Sequence, residues 1–432
     1  MMKLSPIFCD GMILQRDVPV RIWGEADKPV TVSLDFNSAV FWPTDGTFEI
    51  TLPPHKAGGP YTMFVECGGV VTKLHDIYYG DVFLAGGQSN MGLTLADAPQ
   101  ELDKCENVVR IFTQDRKWEC DKRPDTDMKW VEICEKNAYG ISAAASHFAI
   151  EIANTQNVPV GIVSCNQGAS CIRTWISPET VEADPFFASK PKFHDDATIF
   201  PFNGYSDQYL ERLVKVAPYT LKGVIWYQGE SDAAESIAPH YAYMFDLMVK
   251  DWRRLFRNDD LPFITVQLTY HTVDRPDDRW DILREQQLKA SLEGHNIGMI
   301  AIGDAGDLPD IHPKDKKTVG LRLARYARGM IYGEDIVYRP PVCTDAVLDG
   351  TDVVLTFSDV GEGLYEKEPL AFFVDDVNGT EHKVDYEICR DKVRLMTDGI
   401  SPIAVRFCYD AESAVYLYSS VGLTASPFKI NI

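Results

Sequence analysis

The sequence is poor in basic residues and contains no stretch that would attract a polyanion. Its 432 residues include 42 Lys and Arg against 64 Asp and Glu, which gives a formal net charge of −22. Nucleic acid and anionic membrane surfaces would repel such a chain, because no basic patch offsets the negative charge. We therefore expect neither a nucleic acid nor a membrane as a partner.

The sequence also lacks signals for export and for membrane anchoring. The first residues, Met-Met-Lys-Leu-Ser-Pro, have no apolar core of the kind that a signal peptide needs. No run approaches the roughly 20 apolar residues of a membrane-spanning helix. We expect a cytoplasmic protein, and nothing in the sequence indicates its oligomeric state.

Metal-ligand spacing is missing as well, although the chain has ten cysteines. They form no Cys-x-x-Cys pair and no Cys/His cluster at the spacing of a zinc site. The pattern favours free, buried thiols.

What the chain has is enough apolar sequence for two or three domains, with 45% hydrophobic residues and 25% charged residues. Residues 1–76 show short strand patterns separated by Gly, Pro and Asp, which predicts a small β-sandwich with strands at 18–23, 30–34, 47–52, 61–66 and 70–75. Residues 77–335 alternate buried strands with amphipathic stretches, which predicts an α/β domain. Residues 336–432 return to strand patterns and predict a second β-rich domain.

The α/β domain is expected to contain a parallel sheet covered by helices on both faces. Its predicted strands are residues 82–85, 160–164, 223–227, 263–268 and 298–302, and its predicted helices are residues 141–156, 241–256, 283–292 and 318–332.

A short motif, Gly-Gly-Gln-Ser-Asn-Met at residues 86–91, directly follows the first of these strands. Glycines permit a tight turn and leave space beside it, so the motif could present a serine at the edge of a sheet. Ser89 is the candidate nucleophile. The alternative is an ordinary turn in which Ser89 or Asn90 serves as an N-cap.

Other strand-end loops carry residues suited to acyl transfer, which needs a base and hydrogen-bond donors for a developing oxyanion. His312 is the candidate base, since an imidazole can exchange a proton at neutral pH. The amides of Ser89 and Gly168 and the side chain of Gln228 are candidate oxyanion donors. Each of these residues could instead be structural. Glu230 and Asp232 have a rival interpretation, as the paired carboxylates of a glycosidase.

Three ordered motifs together resemble the sialate O-acetylesterase family and related carbohydrate acetylesterases of the SGNH hydrolase superfamily. They are Gly-Gln-Ser-Asn-Met at 87–91, Trp-Tyr-Gln-Gly-Glu-Ser-Asp at 226–232 and Asp-Ile-His-Pro at 310–313. The likeness continues at residues 4–8, 12–16 and 425–428, so it covers nearly the whole chain.

The resemblance implies a flavodoxin-like three-layer domain flanked by β-rich regions, and deacetylation of sugars through an acetyl-serine intermediate without a metal or other cofactor. It implies that Ser89 is the nucleophile, that Gly168 and Gln228 are oxyanion donors and that His312 is the base. The superfamily usually has an aspartate three residues before the histidine, where this sequence has Pro309. Asp310 is the candidate acid, but Asp304, Asp307 or a backbone carbonyl could hold the imidazole instead, and a Ser-His dyad stays open.

The expected substrate is an O-acetylated sialic acid or an acetylated oligosaccharide. A sialic acid carboxylate would need a cation, for which Arg173 is the nearest candidate, and Glu230 is a further candidate for substrate binding. The main alternative is a carbohydrate-binding protein with a vestigial esterase centre.

Overall fold

The computed structural model describes residues 2–114, 128–189, 200, 202–272 and 277–432. The chain forms two compact units. The first comprises Met1–Trp226 and Leu247–Phe263, and the second comprises Tyr227–Asp246 and Ile264–Ile432. None of the helices in the described part of the chain is long and apolar enough to span a membrane.

The first unit begins with short antiparallel strands, several of which alternate between buried and more exposed positions as strands with one covered face do. The predicted strands at 30–34 and 47–52 coincide with Val30–Leu34 and Thr47–Leu52. Lys3–Leu4, Val20–Glu25 and Thr47–Leu52 form one sheet, and Val30–Leu34 pairs with Asn37–Phe41 and Gly58–Cys67.

One long strand, Val70–Gly87, continues from this region into the sheet that carries the candidate nucleophile. It pairs antiparallel with Gly58–Cys67 near its start and parallel with Val160–Asn166 near its end. Two separate strands were predicted here, at 70–75 and 82–85, with a domain boundary after residue 76. The prediction of two strands is wrong, because the polar residues around Asp76 interrupt the apolar pattern although the backbone remains extended. The two boundaries between the three predicted domains stay predictions.

The sheet of the first unit is mixed, which corrects the prediction of a purely parallel sheet. Val160–Asn166 is parallel to both of its neighbours, but Lys129–Glu132 is antiparallel to Val109–Thr113. The strand Lys129–Glu132 is short, and two of its four residues are exposed, so it lacks the continuous apolar run that marks a buried parallel strand. The strand order in this unit is Lys129–Glu132, Val109–Thr113, Val160–Asn166, Val70–Gly87 and Gly223–Tyr227.

The second unit contains two more strands of α/β type and a strand-rich C-terminal region. Phe263–Gln267 and Ile297–Ala301 are neighbours in a sheet. The helices Trp280–Glu293 and Lys316–Met330 confirm the predictions at 283–292 and 318–332 to within three residues. Gly333, with φ +71°, follows the second helix.

The C-terminal region confirms the predicted β-rich character of residues 336–432. Two four-stranded antiparallel sheets and one strand pair enclose an apolar core that includes Leu355, Phe372 and Phe407. The sheets are Val342–Asp349, Asp352–Ser358, Lys392–Leu395 and Tyr386–Cys389, and Glu381–Val384, Phe372–Asp376, Pro402–Phe407 and Phe428–Asn431, while Leu364–Glu366 pairs with Leu417–Ser419.

The remaining described elements are two longer helices and a set of short elements. Ala143–Gln156 and Tyr241–Phe256 agree with the predictions at 141–156 and 241–256. The others are Ile13–Gln15, Ser89–Gly92, Glu135–Asn137, Ile172–Trp175, Pro178–Ala183, Pro185–Ala188, Tyr209–Leu213, Val214–Val216, Glu230–Asp232 and Ala238–His240.

The nine described cysteines are all free, as predicted, but they are not all buried. Cys67, Cys165 and Cys171 are buried, Cys389 is exposed, and the other five are intermediate. Across the described residues, no three His, Cys, Asp or Glu side chains are grouped so that they could hold a metal ion.

Candidate active site

Ser89 lies at the start of a helical turn directly after the long strand. Gly87 ends the strand with φ +132°, a backbone conformation that favours glycine. The carbonyl of Gln88 then accepts the amides of Met91 and Gly92 at 3.1 and 2.9 Å. Gln88, and not Ser89 or Asn90, is the N-cap residue, and its side chain makes no capping hydrogen bond. The alternative that Ser89 or Asn90 serves as the N-cap is therefore wrong.

Gly168 lies beside Ser89 because two parallel strands end level with each other. Asn166 is in register with Gly87, and the amide of Gln167 donates to the carbonyl of Gly87 at 3.0 Å. A Cβ atom on Gly168 would be 3.6 Å from the Cβ of Ser89. Two of the three predicted oxyanion donors therefore lie at the ends of two neighbouring strands.

The loop that carries Gly168 is held by Asn203, which the sequence analysis did not identify. Its Oδ1 accepts the amide of Cys171 at 3.0 Å, and its Nδ2 donates to the carbonyl of Ala169 at 2.8 Å. Arg173 is 1% exposed, and its Nε donates to the carbonyl of Asn203. The predicted sialate-binding arginine is thus a buried residue that contacts this loop support.

Gln228 is fully buried, and hydrogen bonds fix both ends of its carboxamide. Its Nε2 donates to Oδ2 of Asp232 at 2.5 Å, and the Tyr241 hydroxyl donates to its Oε1 at 3.0 Å. Its backbone carbonyl accepts from Nε2 of Gln287 at 3.0 Å, and its oxygen lies 3.2 Å from the Tyr241 hydroxyl oxygen. Neither Tyr241 nor Gln287 was predicted at the site, since Tyr241 begins one predicted helix and Gln287 lies within another.

His312 and Asp310 are adjacent but not joined by a side-chain hydrogen bond. Oδ1 of Asp310 accepts the backbone amide of His312 at 2.8 Å, and Nδ1 of the imidazole lies 3.8 Å from the same oxygen. Desolvation raises the pKa of Asp310, but the His312 amide and the Lys314 ammonium outweigh it, and the net shift is downward. Asp310 is therefore an ionised group near the imidazole.

Burial lowers the pKa of His312 below its usual value of 6.5. The carboxylate of Asp310 opposes this shift, whereas Lys316, Lys314 and His271 add to it. A lowered pKa keeps the imidazole neutral at pH 7, and a neutral imidazole can accept a proton.

The other aspartates considered as partners of His312 are placed differently. Asp304 makes a two-point ion pair with Arg322, with N···O distances of 2.6 and 2.7 Å. Asp307 is exposed and forms an isolated backbone bridge with Asp310.

Lys316 is a buried charged residue near this loop that was not predicted. Its side chain is fully buried, and its Nζ lies 5.1 Å from the ring centroid of Tyr227. Burial lowers the pKa of Lys316 to about 7, against the opposing field of Glu230. Lys316, four residues after His312, therefore lies over the ring of Tyr227, the last residue of strand Gly223–Tyr227.

Each unit thus contains a part of the predicted site. Ser89, Gly168 and Arg173 belong to the first unit, and Gln228, Glu230, Asp310 and His312 belong to the second. Ser89 and Gly168 are brought together, as are Asp310 and His312. The pairing of Ser89 with His312 stays a prediction.

Comparison with known proteins finds relatives among the carbohydrate esterases. Residues 79–329, more than half of the chain, match the family model described as "Carbohydrate esterase, sialic acid-specific acetylesterase". The sialate O-acetylesterase of Mus musculus is 27% identical over 355 residues, which are 68% of this chain and 65%, just under two thirds, of the mouse protein. The human sialate O-acetylesterase is 27% identical over 372 residues, or 75% of this chain and 70% of the human protein.

A solved structure extends the similarity to the full chain. The crystal structure of a carbohydrate acetylesterase from Xanthomonas citri is 30% identical, with a TM-score of 0.87 over 100% of this chain and 99% of that one. The resemblance found in the motifs is confirmed, as is the prediction of a carbohydrate O-acetylesterase at the level of the family. The chain belongs to the carbohydrate esterase family of sialic acid-specific acetylesterases.

Proposed function

We propose that this protein removes O-acetyl groups from carbohydrates through an acetyl-serine intermediate on Ser89. The observation that supports it most directly is the position of Ser89, at a strand end, next to the glycine loop of Gly168, in a chain of this esterase family. A flavodoxin-like three-layer arrangement of SGNH type is part of the same proposal.

The reaction has two steps. His312 takes the hydroxyl proton as Ser89 Oγ attacks the acetyl carbonyl, and the tetrahedral oxyanion is stabilised by the amides of Ser89 and Gly168 and by Gln228. The sugar hydroxyl leaves with the proton from His312. Water, deprotonated by His312, then attacks the acetyl-serine, and acetate leaves as Ser89 regains its proton. No metal or other cofactor enters either step.

The proposed substrate is an O-acetylated sialic acid or an acetylated oligosaccharide. Arg173 is 1% exposed and its Nε donates to the carbonyl of Asn203, so in this proposal it supports the loop that carries Gly168. A role for Glu230 in substrate binding stays part of the proposal.

The experiment that tests the reaction is acetate release by Ser89→Ala and His312→Ala from acetylated oligosaccharides and from O-acetyl sialic acid. We expect each variant to lose at least about 10³-fold in kcat. Ser291→Ala and His295→Ala are matched controls, since Ser291 bonds only within its helix and His295 is exposed. Near wild-type turnover by either site variant would refute the assignment.

The alternative functions make different predictions. A carbohydrate-binding protein with a vestigial centre would bind the glycan tightly and release no acetate. A glycosidase using Glu230 and Asp232 would need both carboxylates to flank a sugar, whereas Asp232 is fully buried and accepts a hydrogen bond from Gln228. The structure therefore favours an orienting role for Asp232.

A further inference from the structure

We propose that Tyr241 and Asp232 are positioning residues that fix the rotational state of the Gln228 carboxamide, so that its nitrogen serves as an oxyanion donor. This inference rests on the proposed role of Gln228 in deacetylation. It assigns functions to two buried side chains that do not touch the reacting atoms.

A carboxamide donor has an inherent ambiguity, because its oxygen and its NH₂ group have nearly the same shape. Rotation by 180° would replace the donor with an oxygen, which would repel an oxyanion. An enzyme that uses glutamine as a donor therefore needs groups that distinguish the two ends of the amide.

Asp232 and Tyr241 make this distinction from opposite sides. The Asp232 carboxylate is an acceptor only, so at 2.5 Å from Nε2 it accommodates an N–H group and would repel an amide oxygen. The Tyr241 hydroxyl, 3.0 Å from Oε1, donates to the oxygen end. Nε2 carries two N–H bonds, and the one directed at Asp232 sets the direction of the other at about 120° to it.

Burial makes the orientation of the Gln228 carboxamide depend strongly on these two partners. Gln228 and Asp232 are 0% exposed and Tyr241 is 1% exposed, so water cannot substitute for a lost partner. The backbone at Gln228 is held as well, because its carbonyl accepts from Nε2 of Gln287. The side chain of Gln287 also accepts the amide of Leu268 at 2.9 Å, which connects this network to the end of strand Phe263–Gln267.

The test is a double-mutant cycle in the full-length protein, with acetate release from an acetylated oligosaccharide as the readout. We expect Gln228→Ala to lower kcat by about 10²-fold, as the loss of an oxyanion donor does. Tyr241→Phe and Asp232→Asn should each lower kcat by roughly 3- to 30-fold, with KM changed less than about twofold. In the Gln228→Ala background, the same two changes should alter kcat less than about twofold.

Tyr219→Phe is the matched control for Tyr241→Phe. Tyr219 is also 1% exposed, and its hydroxyl donates to the carbonyl of Ile13 at 2.8 Å, so its removal deletes one buried hydrogen bond elsewhere. We expect the two Tyr→Phe variants to lower Tm by similar amounts, and only Tyr241→Phe to lower kcat.

Two results would overturn the inference. One is an equal loss of kcat on Tyr241→Phe with and without Gln228, which would show that Tyr241 acts independently. The other is wild-type kcat in both Tyr241→Phe and Asp232→Asn. Failure of the proposed function is recognised separately, by Ser89→Ala retaining activity, because the cycle concerns only the coupling of three residues to turnover.

Discussion

The carboxylate of Asp310 accepts the backbone amide of His312 at 2.8 Å, while its distance to Nδ1 of the imidazole is 3.8 Å. This differs from a Ser-His-Asp triad, in which the carboxylate accepts the Nδ1–H of the base. Asp310 acts on the imidazole here through its charge. It holds the loop by accepting the backbone amide of His312.

Asp310→Asn should therefore cost much less than the loss of a triad aspartate. The asparagine Oδ1 can still accept the His312 amide, and only the charge is removed. At about 4 Å in a solvated setting that charge contributes about 1 kcal/mol, so we expect kcat to fall roughly 5- to 10-fold. Asp307→Asn, at an exposed neighbour, is the control. A loss above about 10³-fold would instead identify Asp310 as the orienting acid of a triad.

The pH dependence of turnover should report the lowered pKa of His312. We expect the acidic limb of kcat/KM to have its midpoint below pH 6.5, since burial favours the neutral imidazole. Lys314, Lys316 and His271 lower the pKa of this imidazole, and the Asp310 carboxylate raises it. Lys314→Met should thus move the limb to higher pH, and Asp310→Asn should move it to lower pH. An unchanged midpoint of the acidic limb in both variants would mean that a group other than His312 is responsible for it.

Gly168→Ala should leave the fold intact and reduce activity. The added methyl group would lie 3.6 Å from the Cβ of Ser89, an ordinary contact distance, so the melting temperature should change little. The same methyl group would narrow the space beside the nucleophile, and we expect kcat/KM to fall roughly 10- to 100-fold. Wild-type activity in this variant would place the acetyl group elsewhere.

Gly229→Ala, unlike Gly168→Ala, should destabilise the protein. Gly229 has φ +149°, and an added Cβ would lie 2.8 Å from Nε2 of Gln287. We expect a loss of about 1–3 kcal/mol in the free energy of unfolding, measured by urea denaturation. Unchanged stability would show that the loop can adopt another backbone conformation.

The buried Lys316 should make stability depend on pH. Its pKa is about 7 in the folded protein and near 10.5 in the unfolded chain, so between these values only the unfolded state holds the proton. The free energy of unfolding should therefore rise with pH from about 7 to 10.5, by up to about 1.4 kcal/mol per pH unit, relative to Lys316→Met. Lys317→Met, at the partly exposed next residue, is the control. A parallel pH dependence in wild type and Lys316→Met would contradict the assignment.

Some features of the fold and the site could be predicted because they depend on neighbouring residues. The apolar run before Gly87 and the glycines around the turn indicated that Ser89 follows a strand. The 3.6-residue period indicated the helices, and Tyr241–Phe256 was predicted to the residue. The edge strand Lys129–Glu132 was missed because it is short and partly polar, and the long strand Val70–Gly87 was divided because polar residues interrupt it.

The sequence by itself determined the nature of the candidate groups: a serine at a strand end, an imidazole in a loop with aspartates, and a glutamine after a buried strand. Only the tertiary structure decided their partners. Gly168 comes beside Ser89 through the register of two parallel strands, and the Gln228 carboxamide is oriented by Tyr241, 13 residues away. Burial lowers the pKa of Lys316. The physical reason is that hydrogen-bond partners and desolvation depend on chain segments that folding brings together, whereas local sequence patterns report only on neighbours.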